Sequence, residues 1–151
     1  MENEKKLPVK IKLLRPEAQL PKYQSVSAAA ADLYAALKTP MTIEPGAIVR
    51  IPTGIAIDCG RDDLAIVLCA RSGLAAKGIT LANGIGLVDA DYRGEILVLT
   101  ANISDQPYTV APGERIAQMM FVPVCRASFE TTDTLTETAR GAGGFGSTGT
   151  K

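Results

Sequence analysis

Short aliphatic runs, broken by turn signals at close intervals, constrain this chain more than any other feature. The clearest are Val9–Leu14, Ala47–Ile51, Leu64–Ala70, Ile79–Ala82, Ile85–Val88, Glu95–Thr100 and Ile116–Val124. Several are rich in Val and Ile, as strands prefer. Pro45-Gly46 and Pro112-Gly113 each read as a tight turn feeding a strand. Asn83-Gly84 reads as a hairpin turn between two aliphatic runs. This spacing predicts an all-β sandwich or barrel. One segment argues the other way: Ser27–Leu37, SAAAADLYAAL, is a helix on propensity alone. The 151 residues suit one domain that buries a core without staples.

Composition narrows the chemistry. Lys plus Arg and Asp plus Glu are equal at 16 each, so the chain projects no long-range field toward nucleic acid or an anionic membrane. An anionic ligand must be held by local charges. Histidine is absent, which excludes Ser-His-Asp and Cys-His catalysis and His-ligated zinc. The three cysteines, Cys59, Cys69 and Cys125, are far apart and form no C-x-x-C. Neither a disulfide framework nor a zinc site is expected, and a reducing, cytoplasmic setting fits best. Met1–Lys6 is polar, and no signal peptide or membrane span is read after it.

Four segments can carry chemistry. Ala70-Arg71-Ser72-Gly73-Leu74 closes a buried-looking strand and opens a short segment that ends before Gly78. Ser72 reads as its N-cap and Gly78 as its C′ residue. Backbone N–H groups, a helix dipole and a guanidinium can converge on a phosphate there. The same residues also read as an ordinary cap beside a surface arginine. Asn83–Gly94, NGIGLVDADYRG, carries Asp89 and Asp91 next to Tyr92. Without histidine, a carboxylate is the available base for activating water, although Asp in a Gly-rich turn often only bonds its own backbone. Gly113–Gln118 brings Arg115 and Gln118 into an aliphatic strand. Three residues apart, they are expected on opposite faces. Finally, Arg140–Lys151, RGAGGFGSTGTK, has one large apolar residue, Phe145. It reads as a flexible glycine-rich arm, either idle or able to wrap polyphosphate with its N–H groups and hydroxyls. Its G-x-G-x-x-G is not a dinucleotide fingerprint, because no helix can follow it.

Taken in order, these segments resemble the five motifs of the trimeric dUTPase family. The likeness runs through Ala30–Leu33, Ala70–Leu74, Gly86–Gly94, Pro112–Gln118 and Arg140–Gly149. It implies a jelly-roll-like β-barrel over residues 1–139, with a flexible C-terminal arm over 140–151. It also implies an extended, not helical, Ser27–Leu37, and a homotrimer whose active sites lie between subunits. The implied substrate is dUTP and the implied cofactor is Mg²⁺, held mainly by phosphates and water with no direct protein ligand. Neither nucleic acid nor a membrane is an expected partner. By resemblance, Asp89 deprotonates the water that attacks the α-phosphorus. Tyr92 packs on deoxyribose, and Asn83 and Gly84 frame uracil. Arg71, Ser72, Gly73 and Gln118 hold phosphates. From the arm, Arg140, Gly146, Ser147 and Thr148 reach the outer phosphates while Phe145 stacks on the base. Asp32 is an outer-sphere or structural carboxylate. Two departures stand out: Ala30 and Ala70 occupy places where the family usually or often has glycine and proline. The competing readings are a dCTP deaminase of the same superfamily, for which no matching glutamate motif is found, and an inert nucleotide-binding regulator.

Overall fold

The computed structural model describes residues 6–145. Eleven strands and one short helix follow in chain order. They are β1 (Lys10–Leu13), β2 (Ala31–Tyr34), β3 (Met41–Ile43), β4 (Ile48–Pro52), β5 (Ile55–Asp58), β6 (Leu64–Cys69), α1 (Ser72–Ala75), β7 (Ile79–Leu81), β8 (Gly86–Asp89), β9 (Leu97–Asn102), β10 (Tyr108–Val110) and β11 (Arg115–Pro123). Every ladder is antiparallel. The main sheet has the order β2-β11-β6-β8, a second has β4-β9-β7, and the pairs β1-β5 and β10-β3 complete the body. One aliphatic cluster fills the interior, with Leu33, Ile43, Ile51, Ile55, Ile66, Val98 and Met119 nearly sealed from water. This all-β, jelly-roll-like arrangement matches the expected class. Among the described residues no helix is long and apolar enough to cross a membrane.

The two Pro-Gly turns behave alike. Ala47 N donates to Glu44 O at 3.0 Å with Gly46 at φ 75°, and Glu114 N donates to Ala111 O at 3.1 Å with Gly113 at φ 73°. Both are turns whose third residue needs a left-handed backbone, which glycine adopts without a steric penalty.

Two readings made from local sequence fail. The Ala-rich segment is extended, not helical, because its neighbours supply better partners than its own turns would. Ala35 N donates to Glu114 O, Ala36 N to Pro52 O, and Asp32 N to Lys22 O, while β2 pairs with β11. Its small side chains, Ala31, Ala35 and Ala36, are buried with Leu33 and Leu37. Tertiary packing overrides propensity here. Asn83-Gly84 does not join hairpin partners either. β7 pairs with β9 while β8 pairs with β6, so this turn carries the chain from one sheet to the other. Gly84 has φ 71°, but Asn83 is not left-handed, so the two-residue I′ geometry of a hairpin is not formed.

Candidate active site

On β6, Leu64, Ile66 and Leu68 point into the core, so Ala65, Val67 and Cys69 face outward. Register carries that face across the sheet. Cys69 stands opposite Gln118, which stands opposite Asp32, while Ala65 stands opposite Asp89.

At one corner of this face lies a cationic cluster built around Asp32, which is 7% exposed. Arg71 Nε approaches Asp32 Oδ1 at 3.4 Å, and Arg115 Nη1 donates to Asp32 Oδ2 at 3.1 Å. Arg71 Nη1 also donates to the Arg115 carbonyl at 3.0 Å, and Gln118 Nε2 to the Ala70 carbonyl at 3.0 Å. One carboxylate therefore aligns two guanidiniums, and Gln118 stands beside them.

The expectation that Arg115 and Gln118 face opposite sides is overturned by a bulge. Arg115 pairs with Tyr34 and Ala117 with Leu33, leaving Ile116 as the extra residue. The bulge turns Ile116 into the core, and Arg115 comes to the same face as Gln118. The cap assignment changes too. Ser72 is the first residue of α1, Arg71 holds the cap position in extended backbone, and no side chain caps the helix. The Ser72 hydroxyl is not committed to the cap. Gly78, at φ 80°, is left-handed but lies one place beyond the C′ position expected for it, because the C-cap is Ala76.

At the diagonal corner lies a cleft of about 290 Å³. Val88, Asp89 and Leu87 of β8 form one wall, and Leu97 and Leu99 of β9 form the other, with Arg50 and Tyr92 completing the lining. Ala82 N donates to Leu99 O at 2.9 Å, which sets Asn83 beside this wall. The turn after β8 is closed by Tyr92 N donating to Asp89 O at 3.1 Å. Arg93 braces it from behind, donating to Ala90 O at 2.7 Å, to Tyr92 O at 3.2 Å and to Asp58 Oδ1 at 3.0 Å. Arg50, Arg93 and Asp58 were not singled out from sequence. Nothing near Asp58 marks it, and Arg50 is one cation in an aliphatic strand.

The C-terminal segment leaves the body after β11, and residues 123–142 are all exposed. Arg140 Nε donates to Gly143 O at 3.2 Å, a local turn, and Phe145 is fully exposed. Gly146, Ser147 and Thr148 lie outside the described residues.

Asp89 and the Asp32 cluster are far apart. They are four residues apart along β6 and three strands apart across the sheet, roughly 20 Å on strand geometry.

A family model described as dUTPase matches residues 16–149. The chain is 51% identical over 144 residues to the deoxyuridine 5′-triphosphate nucleotidohydrolase of Desulfitobacterium hafniense (strain DSM 10664 / DCB-2), covering 93% of this chain and 95% of that one. It is 46% identical over 148 residues to the enzyme of the same name from Xanthomonas oryzae pv. oryzae, covering 95% and 96%. Among solved structures, the Staphylococcus bacteriophage 80alpha dUTPase with dUPNHPP superposes at a TM-score of 0.86 and 24% identity, covering 94% of this chain and 98% of that one. A mutant dUTPase from phage phi11 of S. aureus, described with a structural Mg(II) ion, superposes at 0.78 and 18% identity, covering 86% and 99%. At these identities the structural likeness is one of fold.

Proposed function

This chain belongs to the dUTPase family and hydrolyses dUTP, and from that premise we propose which residues do the work. Asp89 accepts a proton from the water that attacks the α-phosphorus, giving dUMP and pyrophosphate. Tyr92 packs on the deoxyribose, and Asn83 with the Gly84 backbone meets the uracil edge. The observation that carries this reading is the cleft. It places an exposed carboxylate, Asp89, and an aromatic ring, Tyr92, between apolar walls of nucleoside size.

Arg71, Ser72, Gly73 and Gln118 take the phosphates. Asp32 acts through Arg71 and Arg115, since both of its oxygens are engaged by guanidiniums. Fixed cations of this kind neutralise charge that grows in the transition state. The arm contributes Arg140, Gly146, Ser147 and Thr148 to the outer phosphates, and Phe145 to the base.

One chain cannot close such a site. Phosphates within reach of Asp89 lie beyond the reach of Arg71, because the separation exceeds the span of a triphosphate. A ring of three copies, each lending Asp89 to one neighbour's Arg71 cluster, resolves this. The family's trimer has the same logic.

Among the described residues no group of three carboxylate or thiol side chains is gathered to cage a cation. A Mg²⁺ carried by the triphosphate with its own waters suits this donor set, and it neutralises phosphate charge when bound. The reaction would proceed in the cytoplasm, limit uracil in DNA and supply dUMP for thymidylate synthesis.

Asp89→Asn tests the assignment. The variant should bind a non-hydrolysable dUTP analogue almost as well as the parent, while pyrophosphate release falls by ~10²–10⁴-fold. Turnover near the parental rate would remove Asp89 from the role.

A further inference from the structure

The setting of the Tyr92 ring depends on the glycine two residues further along the chain. The ring lies directly across the Cα of Gly94. A Cβ built on Gly94 would stand 2.5 Å from Tyr92 Cζ and 3.0 Å from Cε2, and closer still to the hydroxyl. Contacts that short do not exist between real atoms, so the ring rests where it does only because residue 94 has no side chain. Gly94 is not needed for a left-handed backbone, since it is absent from the glycines with positive φ. Its requirement is space. Apart from this seat, the ring is held at its tip by one hydrogen bond, Tyr92 Oη to Glu95 O at 3.2 Å, and Tyr92 is 46% exposed.

We infer that Gly94 is a specificity-determining position, which fixes the Tyr92 ring at the one setting that fits a 2′-deoxyribose and turns away a ribose. This rests on the reading of Tyr92 as the sugar's partner. If residue 94 acquires a Cβ, an exposed ring held by one hydrogen bond gives way before the backbone does. Stability then changes little. The fit to deoxyribose is lost, and displacement of the ring in any direction costs most to the substrate that matched it. A loss of this kind moves the choice between two sugars that differ by one hydroxyl.

The experiment is a double-mutant cycle of Gly94→Ala and Tyr92→Ala, read as the ratio of kcat/KM for UTP to that for dUTP, with melting temperatures alongside. Gly94→Ala should raise the ratio by about 10-fold or more, mainly through a higher KM for dUTP. Tyr92→Ala should raise it as well. Adding Gly94→Ala to Tyr92→Ala should change nothing further, because the ring it would displace is gone. An unchanged ratio in Gly94→Ala beside a raised one in Tyr92→Ala overturns the role of Gly94 and leaves the role of Tyr92 standing. An unchanged ratio in Tyr92→Ala overturns both. If Gly94→Ala fails to fold, the double variant decides: folding restored by removal of the ring assigns the collision to Tyr92, and continued misfolding refutes it.

Discussion

At the scale of single residues, Glu114 shows how one carboxylate fixes a turn. Its Oε2 accepts from Ala111 N at 2.8 Å and its Oε1 accepts from the Tyr108 hydroxyl, which ties the Pro112-Gly113 turn to β10. Burial first, then the hydrogen bond and charge of Glu114, push the Tyr108 phenol up to about 12. A folded-state value above that of the unfolded chain, about 10, means the native protein keeps this proton longer. Its contribution is therefore complete below pH 10 and is lost as pH rises toward 12. Urea unfolding of the parent and of Tyr108→Phe across this range should show a steeper decline in the parent. Parallel declines would mean that the phenol is not held neutral by the fold. Glu114 was legible as part of a motif, whereas its grip on Tyr108 was not, because that contact depends on β10 lying beside the turn. Asp32 is similar. Its place in a site could be read by resemblance, but its two arginine partners come from β11 and from beyond β6, and only register brings them together.

Among the elements, the bulge in β11 has the largest local effect. Regular alternation would put Ile116 on the outer face with Gln118. The bulge buries it instead, at 4% exposure, against the core. Ile116→Ala should therefore destabilise the protein by about 2–5 kcal/mol in chemical denaturation, as for a large aliphatic side chain removed from a core. A loss below about 1 kcal/mol would place Ile116 at the surface and remove the basis for the shared face of Arg115 and Gln118. The aliphatic runs marked β1, β4, β6, β7, β8, β9 and β11 but not β2, β3, β5 or β10. The Asn83-Gly84 turn was visible, yet its neighbours in space were not. Turn chemistry is local, whereas the choice of ladder partner is made by the whole sheet.

For the whole molecule, the diagonal separation of Asp89 from the Asp32 cluster is the ground for the proposed sharing of sites between copies. If each site takes its base from one copy and its phosphate grip from another, two different defects can complement. Asp89→Asn and Arg71→Ala chains, each nearly inactive alone, should recover a fraction of parental dUTP turnover once mixed and exchanged. Exchange verified by native mass spectrometry without any recovery would show that a single chain completes its own site. The expectation of shared sites comes from family resemblance. No linear spacing reveals which residues end at opposite corners of a sheet.

The exposed stretch from 123 to 142 also bears on the fate of an isolated chain. A non-strand segment with exposed Phe129 and Leu135 is a natural target for proteases. If a neighbouring copy covers it, surviving digestion becomes a record of having found partners. Unpaired chains would then be cleared at the tail first, losing the arm before they could occupy a place in a working ring.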